Sequence, residues 1–143
     1  MVKLILCSHG PFAQAMLDSA QMIIGPQENI VAFGLNPGDD LDVYKENVER
    51  SILEAAEQKE NVLLFTDIFS GTPFNTAIAL MQKYPYLRHY SGINMPILLE
   101  IASSRDIMSF DELCSEVKQM SKDSIVDVNE LIEKLNSCSE TEE

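Results

Sequence analysis

The feature that most constrains the fold is the alternation of short apolar runs with amphipathic stretches. The runs are almost continuously apolar, which is typical of strands buried on both faces of a parallel sheet. They are Val2–Cys7, Asn29–Leu35, Asn61–Thr66 and a weaker fourth run, Leu87–Ile93. Between them, apolar residues recur at helical spacing and the connections are short. This alternation predicts an α/β fold with a mostly parallel central sheet.

Helix-start signals stand where the pattern changes from strand to helix. They are Pro11, Asn36-Pro37-Gly38-Asp39, Thr72 as N-cap with Pro73, Met95-Pro96, and the capping-box pattern Ser109–Glu112. Near the end of the chain, Ser124–Val128 predicts a short strand and Leu131–Leu135 a last short helix, followed by the acidic tail Ser139–Glu143.

Length and charge limit the classes of function. The 143 residues suit one domain, 1–143, in which residues 129–143 form the short C-terminal helix and acidic tail. The formal charge of −13 repels phosphate backbones, so we expect no nucleic-acid partner and favour a partner with a basic docking face. The first apolar run is too short for a signal peptide, and no run approaches a membrane span of about 18 residues. A cytoplasmic location is therefore predicted, with the three cysteines reduced.

Two polar loops follow the first and third strands. They are Cys7–Pro11 and Asp67–Pro73, and a proline opens the helix after each. If these strands are neighbours, the loops meet at the carboxyl edge of the sheet, where functional groups gather. Two helix N-termini would then direct free N–H groups to one place, an arrangement that suits a bound phosphoryl group.

Within these loops, His9 is the natural nucleophile toward phosphorus. Asp67 can accept a hydrogen bond from its other ring nitrogen and so fix the tautomer. Ser70, Gly71 and Thr72 can bind phosphoryl oxygens through N–H and hydroxyl groups. No metal and no cofactor are expected, because backbone amides and helix ends supply the positive potential. Each residue also has a plain structural role open to it, since a lone histidine after a strand more often caps or faces solvent.

The sequence resembles the enzyme IIA component of the mannose/fructose/sorbose family of the bacterial sugar phosphotransferase system (PTS). The matching motifs run in family order across about residues 2–128. They are Ser8-His9-Gly10, Pro37-Gly38-Asp39, Thr66-Asp67 with Ser70–Asn75, Gly92–Pro96 with Leu99-Glu100, and Ser109–Leu113. Two positions depart from the frequent pattern: Thr72 stands where many members have Ser, and Phe69 where many have Trp.

The resemblance implies a fold and a chemistry. It implies a cytoplasmic homodimer whose subunits exchange a C-terminal strand, here Ser124–Val128, on a sheet of order 2-1-3-4 flanked by helices. It implies that His9 takes a phosphoryl group from the phosphocarrier protein HPr and passes it to a histidine of enzyme IIB. The membrane components IIC and IID then import the sugar. Asp67 is implied as the hydrogen-bond partner of His9, with Gly71 and Thr72 in contact with the phosphoryl group.

Three alternatives remain open at the level of sequence. The phosphoryl-donor subunit of bacterial dihydroxyacetone kinase resembles the same fold and also uses a histidine after the first strand. A receiver-like signalling domain would be phosphorylated on Asp67, but it needs carboxylates after the first strand to hold Mg²⁺, where this chain has Cys7-Ser8-His9. A binding module without covalent chemistry predicts no label transfer from HPr.

Overall fold

The computed structural model describes residues 1–142 of the chain and the side chains of residues 1–138. Strands and helices alternate up to the fourth strand, and three helices follow it. In chain order the elements are β1 Lys3–His9, α1 Phe12–Ile24, β2 Ile30–Leu35, α2 Leu41–Glu57, β3 Val62–Thr66, α3 Gly71–Lys83, β4 Leu87–Ser91, α4 Met95–Ser104, α5 Phe110–Met120 and α6 Val128–Glu142.

The sheet has the order β2-β1-β3-β4, and all three strand pairs are parallel. The predicted α/β class and the order 2-1-3-4 are therefore confirmed. The two central strands, β1 and β3, are buried almost throughout, which explains their continuous apolar sequence. In register, Cys7 of β1 lies between Phe33 of β2 and Thr66 of β3.

Helices cover both faces of the sheet and divide the core in two. On one face, alternate residues of β1 and β3, including Leu4, Leu6 and Phe65, pack against α1, α4 and α5. On the other face, Ile5, Cys7 and Leu64 pack against α2 and α3. Because successive strand residues point to opposite faces, His9 at the end of β1 points to the same side as Cys7, toward α2 and α3.

Helix starts lie within a few residues of the predicted signals. The first helix begins at Phe12, directly after Pro11, and α2 begins at Leu41 with Asp40 as its N-cap. The capping box of Ser109 and Glu112 is formed at the start of α5, and Asn94 caps α4. The prediction of Thr72 as the N-cap of α3 is wrong: the helix begins at Gly71 and Ser70 occupies the N-cap position. Gly71 itself has a φ of +87°, a left-handed conformation that favours glycine and that turns the chain from the extended Ser70 into the helix.

The C-terminal region differs from the sequence expectation. Residues 124–127 form no strand in this single chain, and Val128 already begins α6. A strand needs a partner edge, and here Ser124 is held instead by a hydrogen bond from the Asn94 amide to its hydroxyl, at 2.8 Å. The exchanged strand of a homodimer thus stays a prediction. The last helix is longer than expected, and the predicted acidic tail overlaps its end; residue 143 and the side chains of 139–142 lie outside the described residues.

Among residues 1–142, no helix combines the length and the apolar character that crossing a membrane requires.

Candidate active site

The side chains of His9 and Asp67 meet at the carboxyl edge of the sheet. They lie close because β1 and β3 are neighbours, and the Asp67 N–H donates to the Cys7 carbonyl at 3.2 Å. One carboxylate oxygen of Asp67, Oδ2, accepts from the His9 backbone N–H at 3.0 Å and lies 2.9 Å from Nδ1 of the His9 ring. The same oxygen therefore fixes both the backbone and the ring of His9.

The two partners differ in their exposure to solvent. The His9 side chain is 46% exposed, whereas that of Asp67 is 12% exposed. Burial opposes ionisation of Asp67, but hydrogen bonds from the backbone and ring of His9 and from the backbone of Ile68 outweigh it and hold the pKa of Asp67 below its usual value. The carboxylate is thus charged at neutral pH and assigns the ring proton to Nδ1. Nε2 keeps its lone pair and faces away from Asp67.

Gly71 lies directly against the reactive side of the ring. A Cβ atom at this position would lie 2.6 Å from His9 Nε2, closer than real Cβ contacts come. Both this approach and its positive φ require glycine. The first turn of α3, which begins here, has N–H groups without helical partners and carries the positive end of the helix dipole. The N-terminus of α3 therefore lies at Nε2, and helix N-termini of this kind are suited to binding anions.

Ser70 and Thr72 flank Gly71 in the chain. Ser70 is exposed and its side chain makes no capping hydrogen bond, so its hydroxyl is available. Thr72 lies in the first turn of α3, is half-buried and lines a groove between α2 and α3. The residues predicted for the site, His9, Asp67, Ser70, Gly71 and Thr72, are thus brought to one edge of the sheet.

The structural roles of two residues next to the site were not predicted from the sequence. Ser8 is buried, accepts from the Ala13 N–H at 2.8 Å and donates to the Gly10 carbonyl at 3.3 Å, which shapes the turn after His9. Gly34 of β2 packs against the same Gly10 carbonyl, and a Cβ there would collide with it. An isolated glycine inside a strand pattern is the signal that could have found Gly34.

An apolar rim surrounds His9 on the surface. We use this name for Phe12, Ile68 and Phe69, which are all exposed, Phe69 to 81%. The Phe69 ring rests on Phe74, with ring centroids 4.7 Å apart. The rim is thus held in place although it faces solvent, which is typical of a surface that contacts another protein.

The second histidine, His89, lies outside this site on the edge strand β4. Its Nε2 lies 2.8 Å from the Thr66 hydroxyl, and Phe74 packs on its ring at 5.3 Å. Burial lowers the pKa of His89 to about 4. It is therefore a neutral, partly buried histidine at physiological pH, far less able to reach a partner than His9.

The donor set at this edge does not match that of a receiver domain. A Mg²⁺ site needs several oxygen ligands, and Ser8 and His9 occupy the positions where a receiver has carboxylates. Asp67 Oδ2 is already engaged by His9. Among the residues that the structure describes, no group of three or more His, Cys, Asp and Glu side chains is placed to hold a metal ion.

Comparison with known proteins identifies the family. Residues 3–118 match the sequence model of the family described as EIIA-man, PTS system fructose IIA component. The chain belongs to this family. It is 31% identical over 140 residues to the PTS system fructose-specific EIIA component of Bacillus subtilis strain 168, covering 98% of this chain and 95% of that protein. It is 32% identical over 126 residues to the sorbose-specific EIIA component of Klebsiella pneumoniae, covering 88% and 91%.

A solved structure agrees with this assignment. The crystal structure of the phosphotransferase system component EIIA from Streptococcus agalactiae superposes with a TM-score of 0.81 at 30% identity, covering 90% of this chain and 98% of that one. The predicted resemblance to the mannose/fructose/sorbose EIIA components is thus confirmed. The chain is a phosphotransferase component of a sugar PTS, and its place in that system is that of a phosphoryl carrier.

Proposed function

We propose that His9 Nε2 accepts a phosphoryl group from phosphorylated HPr and passes it to a histidine of enzyme IIB. The observation that carries this proposal is the 2.9 Å contact between Nδ1 and Asp67 Oδ2, which leaves Nε2 as the free nitrogen. Nε2 is also the atom that lies against Gly71 at the N-terminus of α3. The proposed nucleophile, the orienting carboxylate and the N-terminus of a helix therefore meet at one imidazole ring, which supports the proposal.

The transfer balances without any additional reactant. The lone pair of His9 Nε2 attacks phosphorus, and an N–P bond forms while the N–P bond to the HPr histidine breaks and its electron pair returns to that ring. The Nδ1 proton stays on His9, where the Asp67 carboxylate offsets the positive charge that develops on the imidazole. In the second transfer, the histidine of IIB attacks the same phosphorus and His9 leaves with its electron pair.

The β3–α3 loop would hold the phosphoryl oxygens during both steps. The N–H groups of Gly71 and Thr72 belong to the first turn of α3 and need partners from outside the helix. The hydroxyls of Ser70 and Thr72 are further donors. Negative charge that develops on the oxygens would therefore meet fixed dipoles, and neither a metal nor a cofactor is needed for this role.

Partner recognition would use the apolar rim and the charge of the chain. Phe12, Ile68 and Phe69 present exposed apolar surface next to His9. The net charge of −13 favours partners with basic docking faces, such as HPr and IIB, and this steering weakens as salt rises. Transport of the sugar itself, through IIC and IID, lies downstream of this component.

The assembly belongs to the proposal as well. We expect a cytoplasmic homodimer in which Ser124–Val128 crosses to the partner and pairs as a strand. In the single chain this segment is irregular and its apolar residues Ile125 and Val126 are exposed, which supports a need for cover.

The experiment is a phosphoryl-transfer chain with labelled phosphate. HPr labelled through enzyme I and phosphoenolpyruvate is mixed with the protein, and the label is then chased with purified IIB or with dihydroxyacetone kinase. We expect labelling that is acid-labile and alkali-stable, as for phosphohistidine, and discharge to IIB. Discharge only to the kinase would favour the donor-subunit alternative, and alkali-labile label would favour a phosphorylated Asp67. If no label were incorporated at all, the result would favour the third alternative, a binding module without covalent chemistry.

A further inference from the structure

A small buried polar cluster lies behind the His9–Asp67 pair. Tyr44 belongs to the first turns of α2, is 6% exposed and packs in the same half of the core as Cys7. Its hydroxyl lies close to the Cys7 thiol, without a hydrogen bond between the two. Cys7 is in register with Thr66, and its carbonyl accepts from the Asp67 N–H, so the Tyr44 hydroxyl lies on the core side of Asp67.

This cluster contains one unpaired hydrogen-bond acceptor and one unpaired donor. Among the described residues, Asp67 Oδ1 and the Tyr44 hydroxyl are buried side-chain atoms without a hydrogen-bond partner. Leaving a buried polar atom unpaired costs about 1–3 kcal/mol. Oδ1 can only accept when the carboxylate is ionised, while the tyrosine hydroxyl is a donor. The acceptor and the donor each lack what the other supplies.

The protonation states agree with this complementarity. Burial, the adjacent Cys7 and the negative charge of Asp67 together raise the pKa of Tyr44, so its hydroxyl keeps its proton. Burial likewise raises the pKa of Cys7 to about 12, so the thiol stays neutral and is only a weak hydrogen-bond partner. The carboxylate of Asp67 is the strong acceptor near Tyr44.

We propose that Tyr44 is a positioning residue for phosphoryl transfer. Its hydroxyl donates a hydrogen bond to Asp67 Oδ1, through one bridging water or after a side-chain rotation that brings together the two atoms, which are not bonded to each other in the structure. This bond holds the carboxylate in the orientation in which Oδ2 binds His9. A carboxylate with one oxygen on His9 and the other on Tyr44 cannot rotate, so Nε2 stays aimed at the phosphoryl site. Tyr44 touches neither phosphorus nor its carrier nitrogen and acts only through Asp67.

The first test compares two Tyr→Phe variants by titrating Asp67. Tyr86 is the matched control, because its hydroxyl lies on the same side of the sheet but donates to the Ile52 carbonyl, at the opposite edge. In Tyr44→Phe we expect the pKa of Asp67, followed by carboxyl ¹³C NMR, to rise because one donor to the carboxylate is lost. Tyr86→Phe should leave it at the wild-type value. An unchanged titration in Tyr44→Phe overturns the proposal.

The second test asks whether Tyr44 acts through Asp67. This arm rests on the proposed function, whereas the titration does not need phosphoryl transfer, so failure of one is distinguishable from failure of the other. Tyr44→Phe should slow transfer from phosphorylated HPr about 3- to 10-fold, the loss of one ordinary hydrogen bond. In an Asp67→Ala background, which has no side-chain acceptor for the Tyr44 hydroxyl, the same substitution should cost nothing further. An equal loss in both backgrounds would show that Tyr44 acts by another route.

A measurement on the unmodified protein covers the case in which Tyr44→Phe fails to fold. A Tyr44 hydroxyl proton bonded to a carboxylate should exchange slowly with solvent and resonate downfield of a free phenol. It should also move when Asp67 is protonated. A rapidly exchanging proton that does not respond to Asp67 overturns the proposal.

Discussion

The two histidines of this chain lie on the same face of the same sheet and have opposite surroundings. His9 stands at the open carboxyl edge, half exposed, with a charged carboxylate on Nδ1 and a helix N-terminus at Nε2. His89 stands within an edge strand, with a neutral hydroxyl as its partner and an aromatic ring over it. One ring has a free nitrogen facing solvent, and the other has lost most of its access.

The surroundings of each imidazole, and so its proposed role, depend on where the residue lies on the sheet. A residue at the carboxyl end of a central parallel strand meets the loops and helix ends of its neighbours. A residue a few positions earlier in an edge strand meets side chains of the core. The same side chain is therefore proposed as a nucleophile in one place and is a buried packing group in the other.

The largest expected effect is that of removing each histidine in turn. His9→Ala should abolish labelling by phosphorylated HPr, because it removes the imidazole nitrogen that is proposed to bind phosphorus. His89→Ala should retain labelling, since this ring contacts Thr66 and Phe74 rather than the site. The measurement is the extent of ³²P incorporation. If His89→Ala kept its fold but lost the label, the claim that only His9 of the two histidines is needed for labelling would be wrong.

Gly71→Ala should slow phosphoryl transfer, because the substitution tests whether His9 needs the close approach of residue 71. The added Cβ would meet Nε2 and displace the ring, and a misplacement of about 1 Å can cost about 100-fold in rate. Gly38→Ala is the matched control, because Gly38 has a similar φ of +86° but open space where a Cβ would stand. Both variants should lose about 1–2 kcal/mol of stability from backbone strain. Equal transfer rates in the two would refute the steric argument.

Asp67→Ala should slow transfer without unfolding the protein. The substitution removes a charge-assisted hydrogen bond, for which a loss of about 10- to 100-fold in rate is expected. His9 remains in place, so acid-labile label should still accumulate over longer times. Rapid-quench kinetics with wild type as the reference provides the measurement. Transfer at the wild-type rate would mean that the carboxylate has no part in the chemistry.

The smallest expected effect concerns stability and pH at His89. The folded state holds the pKa of His89 at about 4, below the ordinary histidine value of 6.5, so the unfolded chain takes up a proton first as the pH falls. Stability should therefore decline between about pH 6.5 and pH 4 and level off below that. Allowing for partial exposure, the His89 contribution is about 1–2 kcal/mol. Denaturant unfolding of wild type and His89→Gln should show it, with a flatter pH dependence in the variant.

Much of this architecture could be predicted from the sequence because its causes are local. Buried central strands require continuous apolar runs. The start of α5 is marked by the capping box that Ser109 and Glu112 form within four residues. The early start of α3 could not be predicted, because Thr72-Pro73 is an equally good start signal by itself. Gly71 lies against the His9 ring, and a contact between residues so far apart in the chain is not visible in local sequence.

The strand predicted over Ser124–Val128 is absent from the single chain for a related reason, and its exchange in a dimer stays a prediction. Ser124–Val128 has strand composition, but a strand exists only where an edge is available to pair with it. That edge is not fixed by local sequence. Ser8 and Gly34 were missed similarly, since their roles depend on the turn after His9 meeting the neighbouring strand.

The most direct test of the central claim is the position of the phosphoryl group on the His9 ring. The protein, labelled with ¹⁵N in histidine and phosphorylated by HPr, is studied by ¹⁵N–³¹P correlated NMR at alkaline pH. We predict a single phosphohistidine, with phosphorus coupled to Nε2 of His9 and a proton retained on Nδ1 beside Asp67. Phosphorus on Nδ1, on His89 or on a carboxylate would contradict the account.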